Sequence, residues 1–191
     1  MKTAKFSALA IGAVCSLTVG CTSQVPGHDG KTPSASLASV VGDVGSVTNP
    51  RLLTCAMATH NQPLNVQPGD IRAGPLSYPG AQPTLRGGEL RPVVDGVTFY
   101  KQGTFVQDGS TVTVTVAGQA RSFALLQSVG HPSGDLAVTY QSCPRGGASS
   151  WVGGFNLKGR TAACVSLDVA VLGETAIRHI VIPAGTGTCP S

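Results

Sequence analysis

Charged side chains are scarce in this 191-residue sequence: Lys, Arg, Asp and Glu together make up 12% of it. The 13 basic residues are scattered singly and never form a run. A nucleic-acid-binding surface needs a basic run or stripe that follows the phosphates, so binding to nucleic acid is not indicated. Gly, Ala, Val and Thr are abundant instead, which is typical of a β-rich exported protein.

Several motifs that carry chemistry are also missing. The sequence has no Gly-x-Ser-x-Gly elbow for a nucleophilic serine, no Cys-x-x-Cys pair for zinc and no Asp-x-Asp-x-Asp loop for calcium. Each of these motifs is a common signature of its chemistry. The sequence therefore predicts no cofactor and no metal, and it favours a protein that is not an enzyme.

An apolar run is present at the N-terminal end, but it is short. Lys2 and Lys5 precede a hydrophobic stretch from Phe6 to Val19. A helix that spans a bilayer needs about 20 apolar residues, whereas the core of a signal peptide needs roughly 7–15. We therefore predict that residues 1–20 are a signal peptide.

The end of this run, Leu17-Thr18-Val19-Gly20-Cys21, resembles the lipobox of bacterial lipoproteins. The resemblance implies that the sulfur of Cys21 receives a diacylglycerol, that the peptide is cut before this cysteine, and that acyl chains of the palmitate type anchor the protein. The lipobox has Leu three residues before the cysteine, whereas Thr18 stands there and Leu17 comes one step earlier. We expect a lipid-anchored protein on the extracytoplasmic face of the cell membrane, with plain secretion or an uncleaved anchor as alternatives.

Four cysteines follow the signal and Cys21. An even set in an exported chain predicts two disulfides, because an oxidising compartment lets them persist. Zinc is the competing interpretation, which the long, irregular spacings disfavour. Three pairings are possible, and we expect Cys143–Cys164 to join neighbouring strands and Cys55–Cys189 to tie the two ends of the domain.

The mature chain divides into a tether and one domain. Residues 21–50 are rich in Ser, Gly, Thr and Pro and show no sustained period of 2 or 3.6, so they cannot bury enough apolar area to offset their chain entropy. We predict a flexible tether there and a domain over residues 51–191. An edge strand over Leu37–Val47 is the alternative for part of the tether.

The domain shows the regular spacing of short strands and turns that is typical of an all-β protein. Residues Thr111 to Val116 read TVTVTV, an alternation that places the valines in the core and the threonines toward water. Gly118-Gln119 predicts a turn into a hairpin partner over 121–126, and Gly173-Glu174 predicts a further turn. Residues 131–134 are predicted to form a loop, and 144–150 a Gly/Ser loop. With further strands, this predicts an antiparallel two-sheet β-sandwich of about eight or nine short strands. The further candidates cover 51–59, 70–78, 97–101, 136–140, 151–157, 163–172 and 176–182.

Residues that could carry catalysis have simpler explanations. The carboxylates stand mostly beside glycine, where they stabilise turns; Asp168 is the exception, because it lies mid-strand, and we expect it to point to water. A Ser/His/Asp triad needs no fixed spacing, so a hydrolase stays open, although we assign no catalytic residue. The histidines are His28, His60, His131 and His179.

The stretch Trp151-Val152-Gly153-Gly154-Phe155 is the most individual feature of the domain. Consecutive glycines in a strand indicate a bulge or a close approach of the backbone. Trp151 and Tyr78 could stack on sugars if exposed, but we expect both in the core. With the lipobox and the composition, the order Cys–Trp–Gly-Gly–Cys in roughly the last ninety residues resembles lipid-anchored domains of actinobacterial type.

Two functions from different classes follow. We expect a non-catalytic, membrane-tethered β-sandwich that binds a component of the cell envelope, either a protein or a glycan. The alternative is an extracytoplasmic hydrolase of unrecognised type. Histidine, serine and aspartate gathered in a cleft would favour the hydrolase, and scattered histidines with an exposed apolar or aromatic patch would favour the binding module.

Overall fold

The computed structural model describes residues 42–63, 65–81, 91–93, 95–144, 147–185 and 189. The domain is all-β, as predicted, and its strands are joined by turns and two short 3₁₀ segments, Cys55–Met57 and Gly118–Ser122. The predicted signal peptide and residues 22–41 of the predicted tether lie outside the described residues. The strands are β1 Arg51–Leu53, β2 His60–Gln62, β3 Ile71–Ala73, β4 Leu76–Tyr78, β5 Arg91–Val93, β6 Val97–Lys101, β7 Thr104–Gln107, β8 Thr111–Val116, β9 Ala124–Ser128, β10 His131–Asp135, β11 Ala137–Gln141, β12 Ala148–Trp151, β13 Gly153–Lys158, β14 Ala163–Val171 and β15 Arg178–Ala184.

Hydrogen bonds group these strands into three sheets of five, where the sequence indicated two. The first sheet has the order β1-β11-β8-β14-β15, the second β10-β9-β13-β6-β5 and the third β2-β12-β7-β4-β3. All described pairs are antiparallel except β1 with β11, which run parallel. Because side chains from all three sheets enter one buried cluster, the sheets share a single hydrophobic core.

The alternating strand β8 confirms its prediction. Val112, Val114 and Val116 are fully buried, while the intervening threonines are half-exposed. On the outer face, the hydroxyls of Thr113 and Thr139 hydrogen-bond at 2.8 Å across β8 and β11. A period of two residues thus divides the strand into a core face and a solvent face.

One bent ribbon joins the second sheet to the third. Strands β6 and β7 are separated only by Gln102-Gly103, and β12 and β13 only by Val152. Gly154 lies opposite Lys101 in the second sheet and Trp151 opposite Thr104 in the third, so the register stays the same across the bend. The ladder therefore continues from one sheet into the other.

The paired glycines allow this bend. A Cβ on Gly154 would lie 1.9 Å from the carbonyl oxygen of Tyr100, and one on Gly153 would lie 2.2 Å from that of Gln127. The backbones of neighbouring strands thus occupy the space of a side chain, as the glycine pair predicts.

The predicted hairpin between 111–116 and 121–126 is wrong. Residues Gly118–Ser122 form a 3₁₀ turn that carries the chain out of the first sheet, and the next strand, β9, pairs with β10 and β13. Strand β8 pairs instead with β11 and β14. Alternation defines which face of a strand is buried, but it does not name the neighbouring strand.

Two predicted loops are strands. The Gly/Ser segment after Cys143 contains β12, all of whose side chains are buried. Its serines find partners there: the hydroxyl of Ser149 accepts the N–H of Cys143 at 2.7 Å and donates to Asp108 at 3.3 Å. The segment from His131 forms the edge strand β10. Polar residues enter these strands because the fold satisfies their hydrogen bonds.

Two predicted strands are shorter or divided. Over 51–59, only Arg51–Leu53 is a strand, and a 3₁₀ segment follows it. Over 70–78, the turn at Gly74-Pro75 separates β3 from β4, which pair as a hairpin. Gly74 and Pro75 thus divide the segment that was predicted as one continuous strand.

The predicted tether boundary at residue 50 also needs correction. Residues 42–50 form turns rather than a strand, and the carbonyl of Gly45 accepts the N–H groups of Leu136 and Ala137 at 2.8 and 3.0 Å. The side-chain amide of Asn49 also donates to the carbonyl of Gly42 at 2.9 Å. The folded domain therefore includes the chain from residue 42 onward.

Candidate functional site

The predicted lipidation site, Cys21, lies outside the described residues, so its acylation stays a prediction. In the part of the chain that the structure describes, no helix has the length and apolarity needed to cross a membrane. The candidate sites described below all lie in the folded domain.

The four remaining cysteines form two disulfides, as predicted, but the expected pairing is wrong. Cys55 is bonded to Cys143 and Cys164 to Cys189. Strand order explains this: Leu53 of β1 lies beside Tyr140 of the parallel strand β11, so the cysteines that follow both strands meet at the same end. The sequence does not show that β1 and β11 pair in parallel, and for this reason the disulfide connectivity could not be predicted from it.

Among the histidines, His179 makes the most specific contact. Its Nδ1 lies 2.6 Å from a carboxylate oxygen of Asp168 on the neighbouring strand. The His179 side chain is 76% exposed and that of Asp168 29%. Asp168 thus points to the outer face, as expected, between the buried residues Leu167 and Val169.

This pair has two of the three parts of a hydrolytic triad. A carboxylate on Nδ1 orients the imidazole so that Nε2 could accept a proton. Within the described residues, however, no serine or threonine hydroxyl is hydrogen-bonded to His179. The arrangement can orient a base, but it presents no nucleophile.

The remaining histidines do not belong to the Asp168–His179 pair. His131 is half-buried at the start of β10. Of His60 only the backbone, in β2, is described, and His28 lies outside the described residues. The histidines thus remain scattered as far as the structure describes them, and no three His, Cys, Asp or Glu residues in that part are placed to hold a metal ion.

The contact between Asp168 and His179 could have been found from the sequence. The predicted turn at Gly173-Glu174 lies midway between the two residues, and an antiparallel hairpin places equidistant residues opposite each other. Sequence reasoning considered the two residues separately and missed the pair.

Asp135 differs from the turn role that its neighbour Gly134 suggested. It is 5% exposed, and its carboxylate accepts two hydrogen bonds from Arg51, from Nε at 2.7 Å and from Nη2 at 2.8 Å. The hydrogen bond to this carboxylate raises the pKa of Arg51 above its ordinary value. By contrast, Asp70 has the predicted turn role, accepting the N–H groups of Gln67 and Gly80.

The two aromatic residues considered for sugar stacking are buried, as expected. Trp151 is 3% exposed and Tyr78 1%. The Tyr78 ring lies 5.7 Å from Phe155, and Trp151 lies 5.2 Å from Tyr140. Burial raises the pKa of Tyr140 to about 12. These rings connect sheets through the core and cannot form a sugar-binding platform.

A different aromatic residue, Phe123, supports a candidate binding site. The guanidinium of Arg160 lies over its ring, 4.0 Å from the centroid. Arg160 stands in the exposed loop after β13, and Phe123 is half-buried just before β9. The two are 37 positions apart and share no strand, so no local sequence pattern indicates their contact.

Arg160 lines two open grooves. One, of about 470 Å³, is lined by Gln119, Ala120, Phe123, Arg160, Ala163, Cys164 and Ser166. The other, of about 580 Å³, is lined by residues 96–98 and 159–162. Hydroxyl side chains line both grooves, the amide of Gln119 lines the first, and Arg160 contributes a cation to each. The arrangement can hold a polar ligand, but it places no nucleophile or base beside it.

A third groove, of about 280 Å³, lies at the bend of the ribbon. It is bordered by the exposed side chains of Val129 and Val152 and by Phe99 and Lys101. Its lining, like that of the 580 Å³ groove, combines apolar side chains with polar groups and one cation.

Comparison of the chain with known protein families, with curated proteins and with solved structures finds no match. The functional assignment therefore rests on the residues and their geometry.

Proposed function

We propose that this protein is a lipid-anchored, extracytoplasmic binding module of the cell envelope without catalytic activity of its own. The observation that carries the proposal is the pair of disulfides, Cys55–Cys143 and Cys164–Cys189. Disulfides persist in oxidising compartments outside the cytoplasm. They accord with the signal-like run before Cys21, whose lipobox-like ending supports a lipid anchor, with secretion as the alternative location.

The absence of assembled catalytic groups supports a binding role over an enzymatic one. In the described residues, the grooves contain neither of the two residues of the Asp168–His179 pair. An enzyme site brings nucleophile, base and substrate cavity together. The partner is then an envelope protein or glycan, reached from the membrane through the lipid, and the likeness to actinobacterial-type lipoproteins belongs to the same proposal.

We also infer that the sheets pack face to face in the manner of a sandwich. Tyr78 of the third sheet contacts Phe155 of the second, and Tyr140 of the first contacts Trp151 of the third. Rings from different sheets that meet in one core are the packing that sandwich layers use.

Acylation of Cys21 is tested by metabolic labelling with a palmitate analogue. The wild-type protein should be labelled and fractionate with membranes, because the sulfur of Cys21 is the acceptor and two or three acyl chains give stable attachment. Cys21→Ala should lose the label and leave the membrane fraction. Cys15→Ala is the matched control, since it removes a cysteine from the same segment, and it should stay labelled. Equal label in Cys21→Ala, or none in the wild type, would reject the lipid anchor.

The alternative, a hydrolase, is favoured by one observation, the 2.6 Å contact between His179 and Asp168. It is tested with a fluorophosphonate probe, which forms a covalent bond to activated serines. The binding-module proposal expects no labelling of the purified protein. Labelling that His179→Ala abolishes would establish the hydrolase instead.

A further inference from the structure

Arg160 is a cation that contacts an aromatic ring and has no counter-ion among the described residues. Its guanidinium is stacked on Phe123, and no carboxylate in the described residues lies within ion-pair distance of it. Stacking on an aromatic face fixes the plane of the guanidinium and leaves its edge N–H groups directed outward. A planar fork of such donors matches a carboxylate or a phosphate.

The segments that meet at Arg160 carry two further cations, and one carboxylate, that of Asp95, precedes Gly96, whose carbonyl accepts the N–H of Gly159. Arg121 lies two residues before Phe123, and the N–H of Lys158 donates to the Phe123 carbonyl at 2.7 Å. The side chains of Arg121, Lys158 and Arg160 are all exposed. Neither 117–134 nor 154–167, the two segments that bring these cations together, contains an aspartate or glutamate. Three of the 13 basic residues of the chain thus lie in these two segments, and the Nε–H of Arg121 donates to the carbonyl of Val116 at 2.7 Å.

Two grooves adjoin this region. Arg160 lines both the 470 Å³ groove and the 580 Å³ groove, so a ligand bound at its guanidinium could extend into either groove. Each volume is within the range of small-molecule sites. Ser166 and Gln119 line the first groove and Thr98 and Thr161 the second, and their hydroxyl and amide groups suit a hydroxylated chain.

We propose that this region binds an anionic group, a phosphate or a carboxylate, carried on an extended polyhydroxylated polymer of the cell envelope. The anion binds the guanidinium of Arg160, and the neighbouring units of the polymer occupy the two grooves. This inference rests on the proposed function, because it names the class of ligand that the binding module recognises.

The test measures binding of three defined oligomers to the purified protein by calorimetry. A glycerol-phosphate hexamer supplies phosphate, an oligogalacturonate hexamer supplies carboxylate, and maltohexaose is neutral. At least one anionic oligomer should bind ten-fold or more tightly than maltohexaose, and its affinity should fall on going from 50 to 500 mM NaCl. Which anionic oligomer binds identifies the source of the charge.

Three variants locate the site. Arg160→Gln should weaken binding ten-fold or more. Phe123→Leu keeps an apolar side chain but removes the stacking, so it should weaken binding less, by about three-fold or more. Arg72→Gln is the matched control: it removes an exposed arginine from β3 in another sheet, and its affinity should stay within two-fold of the wild type. On ligand addition, the Nε–H resonance of Arg160 should shift in the wild-type protein.

The other outcomes overturn the inference. Equal loss in Arg72→Gln and Arg160→Gln would show diffuse attraction to net charge, and unchanged binding in Arg160→Gln would place the ligand elsewhere. If none of the three oligomers binds, the ligand class is wrong. The proposed function fails separately, if the wild-type protein retains no component of purified envelope at all.

Discussion

At the scale of single residues, Gly45 is the most constrained position at the start of the domain. Its φ is +93°, a region that side chains other than glycine rarely adopt. A Cβ there would lie 1.9 Å from a carboxylate oxygen of Asp135, the partner of Arg51. The turn therefore requires glycine at position 45 and packs against the ion pair between Asp135 and Arg51. Because these contacts arise only in the folded chain, composition alone assigned residues 42–50 to the tether.

The two faces of β8 give a prediction at this scale. Val114→Asp places a carboxylate where the native side chain is fully buried, and it should lower the free energy of unfolding by several kcal/mol. Thr111→Asp changes a half-exposed side chain on the opposite face and should cost under about 1 kcal/mol. Urea denaturation under oxidising conditions compares the two. Equal losses would show that the valines do not face the core.

Buried tyrosines predict a loss of stability at alkaline pH. The pKa of Tyr140 is raised to about 12 by burial, whereas a tyrosine in the unfolded chain has a pKa of about 10. The folded state therefore keeps its proton while the unfolded state loses it. The stabilisation is fully present below pH 10 and is lost as the pH rises toward 12, by up to about 1.4 kcal/mol per pH unit for each such group.

The pKa of Tyr78 is also raised, chiefly by burial, so Tyr140→Phe should reduce this alkaline slope without abolishing it. Urea denaturation at pH 8, 9.5 and 10.5 in the absence of reductant measures the slope. The same slope in Tyr140→Phe as in the wild type would contradict the prediction.

At the scale of elements, strands with strict alternation were predictable and strands held by polar contacts were not. Val97–Lys101 and Thr111–Val116 have the predicted bounds. The strand Ala148–Trp151 was missed because Ser149 and Ser150 read as a loop, although both are buried. Their burial depends on partners more than 40 positions away, such as Asp108 and Thr59, which no local pattern shows.

The bend of the ribbon predicts different responses at two of its glycines. Gly154→Ala places a Cβ 1.9 Å from the backbone oxygen of Tyr100, which cannot move without breaking the ladder. It should cost several kcal/mol. Gly103→Ala, at the same bend, meets only the ring edge of Phe105 at 3.2 Å and should cost about 1 kcal/mol or less, because a side-chain ring can shift. Chemical denaturation measures both, and equal losses would show that the bend is not limited by close backbone approach.

At the scale of the whole molecule, the fold class followed from the sequence and the order of strands did not. The disulfide pairing and the site at Arg160 depend on which distant segments become neighbours. Cys55 meets Cys143 because β1 joins β11 in parallel, and Arg160 meets Phe123 because β13 pairs with β9. Asp168 with His179 is different, since a single hairpin joins them, and this contact was accessible from the sequence.

The two disulfides should contribute unequally to stability. In the chain-entropy description, a bond that closes a longer loop constrains the unfolded chain more. Cys55–Cys143 spans 88 residues and Cys164–Cys189 spans 25, so Cys55→Ala/Cys143→Ala should cost about 4–5 kcal/mol and Cys164→Ala/Cys189→Ala about 3–4 kcal/mol. Thermal denaturation of the two double variants measures the difference.

Peptide mapping without reduction checks the pairing itself. It should recover a peptide with Cys55 linked to one with Cys143. A linked pair containing Cys143 and Cys164 would contradict the structure, and a larger stability loss in the Cys164/Cys189 variant would contradict the loop-length argument.

The disulfide between Cys55 and Cys143 also determines how the domain would respond to tension. For a molecule pulled between its N-terminal side and a ligand at Arg160, the covalent path runs from residue 42 to Cys55, across the sulfur atoms to Cys143, and on to Arg160. The chain between the two cysteines is bypassed. Force could draw out only the residues before Cys55 and those between Cys143 and Arg160, about 30 residues or roughly 100 Å of extended chain. Everything from β2 to β11 could unravel without lengthening the connection between residue 42 and Arg160.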